Sequence, residues 1–408
     1  MNDADLLIVG GGPAGMMAGL LFARAGVKTL VLEKHGDFLR DFRGDTVHPA
    51  TLDLFAELGL LEALLARPHD EAPRLTALAG GQAFTIADFT HLRTARGFIA
   101  LMPQWEFLDF ISGAARAYPG FALRMNCAAT GLTTEGGRIT GVTTSQGEHL
   151  QAKLVIAADG RRSVLREAAA LPRKDLGAPM DVFWFRVPKP REAENRTTGV
   201  FAPGRIIALI DRGDYWQCAF VFPKGSAPAI RARGIEAFRA DVVAVAPVLE
   251  PAIPAVANWD DVKLLTVALD RLTRWHRPGL LAIGDAAHAM SPIGGVGINL
   301  AIQDAVAAAN ILAAPLSRGE TVDGLLARVQ ARRMLPTRMI QGIQSAVQTR
   351  IIGRLLQGGP PLTTQSRTAP PLALRLLARF PWLQRIPAWV VGLGFRREHI
   401  RSPEAPGR

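Results

Sequence analysis

Six residues near the start of the chain constrain its fold more than any others: Gly10-Gly11-Gly12-Pro13-Ala14-Gly15. They follow an apolar run, Leu6-Leu7-Ile8-Val9, suited to a strand buried on both faces. They precede an Ala- and Leu-rich stretch, Met16 to Ala25, that reads as a helix stopped at Gly26. Thr29 to Leu32 supplies a second strand, and Glu33 comes next. Strand, glycine turn, helix, strand is a βαβ opening, which demands a parallel sheet with a right-handed crossover. In the spacing GxGxxG the first glycine, Gly10, permits the tight turn. Gly12 lets a diphosphate approach the backbone, and Gly15 lets helix and strand pack closely. The helix start, with Pro13 and Ala14 in its first turn, offers free N–H groups and a positive dipole end to phosphates. Glu33, beside Lys34, stands where a carboxylate accepts hydrogen bonds from both ribose hydroxyls. The same carboxylate would repel a 2′-phosphate, which disfavours NADP at this site; the motif alone does not separate FAD from NAD.

Further along, Ala50 to Leu58 and Glu106 to Ala117 read as helices, and residues 75 to 90 as strand material outside the nucleotide unit. Arg138 to Val142 and His149 to Ala152 flank a turn, and Leu154 to Ala158 reads as a separate buried strand. A block rich in aromatic and β-branched residues follows, with strands at Val182 to Val187, Ile206 to Ile210 and Tyr215 to Phe222, then a helix at Ile235 to Val245. Leu280 to Ile283 is again a buried strand. Helices close the chain: Gly297 to Ala313, then Val322 to Ile352 with a kink expected at Pro336. Gly358-Gly359-Pro360-Pro361 and Pro370-Pro371 punctuate the tail.

Two of these strands end in further motifs. Ala158-Asp159-Gly160-Arg161-Arg162-Ser163 follows one; Gly284-Asp285-Ala286-Ala287-His288 follows another and continues through Pro292, Gly294-Gly295, Gly297 and Asn299 to Asp304. A carboxylate at a strand end, Asp285, suits a ribityl hydroxyl, and the glycines after Pro292 let a flat ring lie against backbone. A helix then opens near Gly297, and its positive end stabilises the anion of a reduced flavin. The three motifs, in this order and spacing, closely resemble the single-component flavin hydroxylases typified by p-hydroxybenzoate hydroxylase, a group that includes ubiquinone-biosynthesis hydroxylases. The resemblance covers roughly residues 1 to 315. It implies an α/β fold: a Rossmann-like FAD-binding domain (1–74, 96–173 and 265–315) interleaved with a β-sheet substrate domain (75–95 and 174–264), plus a C-terminal helical region (316–408). It implies FAD contacts at Asp285, Gly297, Ile298 and Asn299, with Pro292 and Gly295 beside the ring. It places Asp159 in a motif serving both FAD and the nicotinamide donor, and Arg43 and Gln104 near the flavin.

The implied activity is monooxygenation. NADH or NADPH reduces FAD, reduced flavin and oxygen give a C4a-hydroperoxide, and an oxygen atom passes to an aromatic or other electron-rich small molecule. The cofactor makes the bonds, so no Ser-His-Asp constellation is expected, and no catalytic base is identified. His48 and His288 read as structural histidines. No second GxGxxG is present, which fits a nicotinamide donor that binds without its own domain. The substrate pocket is expected between the flavin and the β-rich block. Phe183, Trp184, Phe185, Arg186, Tyr215, Trp216 and Gln217 are the candidates there; alternation lets about half of them face it, and Trp184, Arg186, Tyr215 and Gln217 are preferred. The paired tyrosines of the type member have no counterpart, since the chain has only Tyr118 and Tyr215, which argues against a simple hydroxybenzoate. A flavin halogenase, or a reductase of isoprenoid or quinone type, shares the scaffold, but the halogenase WxWxIP segment is missing. A non-catalytic FAD sensor or scaffold is the alternative of another class.

Composition removes other classes. Two distant cysteines, Cys127 and Cys218, make no metal framework and suit reduced cytoplasmic thiols. The start is not read as a signal peptide, and no stretch of 18 residues is free of charges and breakers, so no spanning helix is expected. The net charge of +11 sits in the tail: from Leu325 onward there are fourteen arginines, no lysine, and only Glu398 and Glu404 as acids, leaving the first 324 residues near neutrality. Nucleic-acid binding is therefore not implied. The tail reads as a helical cap with solvated arginines or as a segment that touches an anionic membrane peripherally. The oligomeric state is not fixed by the sequence; a homodimer is one assembly it allows.

Overall fold

The computed structural model describes residues 4–39, 46–79, 82–189, 197–202, 204–357 and 372–405. Strand Ala4–Val9 pairs in parallel with Thr29–Leu32 on one side and with His149–Ala157 on the other. Phe121–Arg124 extends the sheet beyond the first neighbour, and Leu280–Ala282 beyond the second, both in parallel. Leu6, Leu7, Ile8, Leu154, Val155 and Ile156 are fully buried, as the continuous apolar runs require of strands covered on both faces. Helix Pro13–Arg24 packs between Gln104–Ala115 and Gly297–Ser317.

The structure has one strand where the sequence suggests two. His149–Ala157 is continuous: its first residues pair antiparallel with Arg138–Thr144, and the stretch from Ala152 pairs parallel with Ala4–Val9. Only Lys153 separates the two expected segments. It offers no turn chemistry and instead pairs with Asp5 (2.8 Å).

A second sheet of seven strands runs in the order Lys263–Leu265, Met180–Pro188, Tyr215–Pro223, Arg205–Asp211, Thr198–Ala202, Arg74–Ala79, Gln82–Asp88. Alternation gives it two apolar faces. One face carries Phe183, Phe185, Val187, Trp216, Cys218, Phe220 and Phe222 and packs on helix Ile235–Val245. There Phe238 meets Phe185 and Phe220 edge-on, each at 5.5 Å between ring centres. The other face carries Met180, Val182, Trp184, Ala219 and Val221 and shares a cluster with Ile293, Val347, Ile352 and Leu356.

Together with the turn before it, helix Gly297–Ser317 is long and apolar enough to cross a membrane by length and composition alone, but it is mostly buried inside the protein. It is a core helix, made apolar all round by its alanines. The next helix, Leu326–Val347, continues through Pro336 and ends in a π-helical turn, Gln348–Ile352. Gly358–Pro361 and Pro370-Pro371 lie outside the described residues. The chain then returns through Leu372–Arg379 and Arg385–Gly392, which pack along Gln82–Asp88 at the edge of the second sheet, and its last residues bond to helices Gly297–Ser317 and Leu326–Val347 through His399 and Glu398.

The arginines from Leu325 onward are not all a solvated face. Arg333, 1% exposed at its side chain, donates to Asp304 (2.9 Å) and Glu398 (3.3 Å). Arg332 pairs with Glu398 (2.7 Å) and Arg397 with Asp53 (3.0 Å). Asp304 is fully buried and also accepts from Gly284 N (3.1 Å) and His288 Nε2 (2.6 Å). Burial alone would raise its pKa; the contacts with His288 and Arg333 outweigh that and hold it below the usual carboxylate value. His288 is thus a structural partner that ties the Gly284-Asp285 turn to two helices and the tail.

Candidate active site

Three motifs distant in sequence leave the first sheet at the same end. Val9 is registered with Ala157, and Ala157 with Ala282. The turns that follow begin at Gly10, Ala158 and Ile283, tied by Ala158 N to Val9 O (2.8 Å) and Ile283 N to Ala157 O (3.0 Å). Neighbouring strands lie about 4.8 Å apart, so all three turns rim one crevice at the carboxyl edge of a parallel sheet.

The glycine turn is fixed by contact distances. Gly10 has φ 108°, and a Cβ there would lie 2.3 Å from Ala158 O. A Cβ on Gly15 would lie 1.9 Å from Gly10 O, whereas one on Gly12 would meet nothing. The helix begun by Pro13 and Ala14 has no side-chain cap, so its first amides face the crevice unsatisfied. Glu33 closes the turn: Oε2 accepts from Gly11 N (2.8 Å) and Oε1 from His35 N (3.1 Å). Lys34 beside it is exposed.

Asp159 accepts from Ser163 Oγ and Leu165 N (3.2 Å), so its carboxylate shapes its own loop. Burial raises its pKa. Arg166 crosses to the neighbouring turn, reaching Ala286 O (3.4 Å) and Arg161 O (2.8 Å). Arg161 Nε donates to Asp285 Oδ2 (2.9 Å) and Nη2 to Met290 O (3.3 Å), leaving the Asp285 side chain 32% exposed.

Beyond Asp285 the chain turns at Pro292 and passes Gly295, where φ is 62° and a Cβ would lie 2.4 Å from Thr46 Oγ1. That hydroxyl donates to Gly295 O (2.7 Å). Asn299 spends its whole side chain on the protein. Oδ1 accepts from His48 N (2.9 Å) and Thr51 Oγ1 (2.7 Å), and Nδ2 donates to Thr46 O (3.2 Å) and Gly295 O (3.4 Å). It pins segment 46–51 against the loop. Gly297 and Ile298 open an uncapped helix. Gln344 Nε2 holds Ser291 O and Ile293 O, both at 3.0 Å. Gln104 is buried at the start of its helix, and Arg43 lies outside the described residues.

His48, read from the sequence as a structural histidine, has a specific position. Nδ1 lies 2.7 Å from Val391 O, which can only accept, so Nδ1 carries the hydrogen and Nε2 is a bare acceptor. Burial pushes its pKa down to about 4 despite that contact. Nε2 is buried and has no partner among the described residues.

Other buried polar atoms without a protein partner stand around the same loop. Arg161 Nη1 belongs to the side chain on Asp285, and Gln348 Nε2 lies one turn beyond Gln344. Trp184 Nε1 and Gln217 Nε2 belong to the face of the second sheet that looks toward Ile293. Gln217 Oε1 accepts from Arg212 Nε (3.2 Å). Trp184, Arg186, Tyr215 and Gln217 share that face, because the register pairs Arg186 with Gln217 and Pro188 with Tyr215. Arg186 is exposed and Tyr215 half-buried at the strand ends. Phe183, Phe185 and Trp216 point the other way, into the helix-covered core. Buried donors are normally satisfied, so this cluster fits a large polar, planar guest better than an empty core; Trp216 Nε1 and Ser402 Oγ are similar orphans elsewhere. Arg161, Gln348 and Val391 O escape sequence reading: the first pairs with a residue 124 positions away, and the others come from the tail.

A family model described as an FAD binding domain matches residues 3–342. The chain is 32% identical over 355 residues to 6-methylpretetramide 4-monooxygenase of Streptomyces rimosus, covering 85% of this chain and 84% of that protein. It is 25% identical to 3-demethoxyubiquinol 3-hydroxylase of Escherichia coli (strain K12), over 83% of this chain and 88% of the relative. Among solved structures, PqsL of Pseudomonas aeruginosa superposes with a TM-score of 0.74 at 24% identity, covering 87% of this chain and 98% of the other. OxyS anhydrotetracycline hydroxylase of Streptomyces rimosus superposes at 0.72 and 23%, covering 95% and 76%. These last two likenesses show the fold.

Proposed function

Since this chain belongs to the family of flavoprotein monooxygenases built on the FAD binding domain, we propose that it hydroxylates an oxygen-bearing aromatic small molecule held between the Pro292–Asn299 loop and the inner face of the second sheet. NADH or NADPH is the electron donor and O2 the co-substrate. The balance is substrate, O2, NAD(P)H and a proton giving hydroxylated product, water and NAD(P)+. One observation carries the reading: the three turns after Val9, Ala157 and Ala282 rim a single crevice.

FAD, when bound, supplies the hydride acceptance and the oxygen activation. The chain's residues bind and orient. Gly10, Gly12, Pro13, Ala14 and Gly15 offer backbone and helix amides to the diphosphate. Glu33, with Lys34 beside it, would meet the adenosine ribose. Asp285 would hold a ribityl hydroxyl while Arg161 steadies the carboxylate; Asp159 acts by shaping its loop. Pro292, Gly295, Gly297 and Ile298 would give the ring a backbone wall and an uncapped helix start, Gln104 would stand beside it, and Asn299 holds the wall in place. His48 Nε2 accepts a hydrogen bond from a ring N–H or a substrate hydroxyl.

The substrate face is built of donors. Trp184 Nε1 and Gln217 Nε2 match carbonyl or phenolic oxygens, and Arg186 and Tyr215 stand near the mouth. The relatives named above act on a pretetramide and a ubiquinol precursor, both oxygenated ring systems. Two buried free thiols, Cys127 and Cys218, suit a reducing cytoplasm. The test is NADH and NADPH oxidation by the purified yellow protein with polycyclic phenols and quinols under labelled oxygen. Substrate-stimulated consumption with one label per product supports hydroxylation; consumption with no label in product refutes it.

A further inference from the structure

The return segment presents an apolar face that none of the described residues covers. Leu372, Leu376 and Phe380 recur at four-residue spacing along and just beyond helix Leu372–Arg379, so they share one side, and all three are exposed. Trp382, Ile386 and Trp389 continue the exposed series onto helix Arg385–Gly392, with Trp382 62% and Ile386 57% exposed. The opposite side of that second helix is fixed. Ala388 is fully buried with Phe89 and Leu101, and a Cβ on Gly392 would lie 2.8 Å from Leu92. The helix is therefore anchored inward and apolar outward. Six large apolar side chains on one surface exceed the scattered exposure normal for a monomer.

Charge selects the occupant. Between Asp323 and Glu398 the sequence contains no acid. Within residues 372–397 it contains Arg375, Arg379, Arg385, Arg396 and Arg397, of which only Arg397 is paired to a carboxylate among the described residues. A second copy docked by a twofold axis would bring the same arginines against each other with no acid to meet them. Tryptophan, phenylalanine and leucine set among arginines match the headgroup boundary of an anionic bilayer, where rings sit at the interface and guanidinium groups meet lipid phosphates.

We propose that Leu372–Trp389 docks this protein peripherally on anionic lipid membranes. Docking does not depend on hydroxylation, because it is read without turnover. The test is co-sedimentation of the flavin-loaded protein with phosphatidylglycerol-containing vesicles and with pure phosphatidylcholine vesicles, at low salt and at about 0.5 M salt, where screening shortens the reach of charge to a few ångströms. Binding to the anionic vesicles alone, released by salt, is expected. Arg375→Gln with Arg379→Gln should lower the partition coefficient about fivefold per arginine. Trp382→Ser with Ile386→Ser should lower it at least tenfold, with flavin absorbance unchanged as the check on folding. No binding at low salt, equal binding to both vesicles, or unchanged binding by both variants overturns the proposal. So does a dimer, seen by size exclusion, that the Trp382/Ile386 variant dissolves.

Discussion

The rim of the parallel sheet and the inner face of the second sheet meet at one loop, yet they are specified differently. The rim is specified by backbone: Gly10, Gly15 and Gly295 stand where any Cβ would collide with a carbonyl or hydroxyl oxygen. The inner face is specified by side chains: Trp184 and Gln217 offer donors from a pleated surface that would accept many other residues. A dinucleotide is met mainly by amides and helix ends, which leave little freedom of sequence. A substrate is met by a few placed polar groups, which leave much. Substitutions on the rim should therefore cost stability and cofactor together, and those on the sheet face should cost substrate recognition alone.

The largest effect is expected behind the rim. Asp304→Ala leaves the buried Arg333 guanidinium with Glu398 as its remaining carboxylate, unpairs His288 and frees the Gly284 turn, and should cost about 3–5 kcal/mol by denaturant unfolding. A loss under 1 kcal/mol would show the network to be incidental. Gly15→Ala comes next. Its Cβ would overlap Gly10 O at 1.9 Å, which forces helix from strand at a cost of about 3 kcal/mol. The variant should purify without flavin; a fully yellow Gly15→Ala protein would break the contrast between the two regions.

His48 gives a pH signature. Its folded pKa is depressed to about 4 from 6.5. Above pH 6.5 both folded and unfolded chains hold it neutral, and its contribution is complete. As pH falls from 6.5 toward 4 the unfolded chain takes up a proton that the native one refuses. Stability then declines by up to about 3 kcal/mol. Asp304, also depressed, contributes a further loss only below its unfolded value of 3.8. Thermal unfolding of His48→Gln should slope less than the parent between pH 6.5 and 4, where His276 also contributes; parallel curves would contradict the assignment.

The smallest effect should come from the sheet face. Gln217→Leu leaves flavin content and unfolding unchanged and raises KM about five- to tenfold, the value of one neutral hydrogen bond. Lost flavin in this variant would mean the two regions are not separable.

The same contrast explains what was legible in the sequence. Strand, turn, helix, strand could be read around Gly10 to Gly15 because steric exclusion dictates the residue type there. The strands of the second sheet could be read from their β-branched and aromatic content, and parity grouped Trp184, Arg186, Tyr215 and Gln217. The preference for that parity rests on its polar groups alone, because Phe183 and Phe185 make the opposite face equally apolar. The Asp304 network joins residues from four distant segments, each ordinary by itself. Asn299 illustrates a subtler gap. The resemblance marks it as a flavin contact, and no motif discloses that its side chain also ties Thr46, His48 and Thr51 to Gly295. Nothing in the tail's arginine count distinguishes Arg333, buried on Asp304, from Arg375 at the surface.

The most direct test is a crystal structure of the yellow protein with FAD bound. The account predicts diphosphate at the Gly12–Gly15 amides, Asp285 on the ribityl chain, and the ring edge along Gly295–Ile298 with its open face toward Trp184 and Gln217. FAD extended away from the 285–298 turn, or a ring walled off from the second sheet, would contradict it.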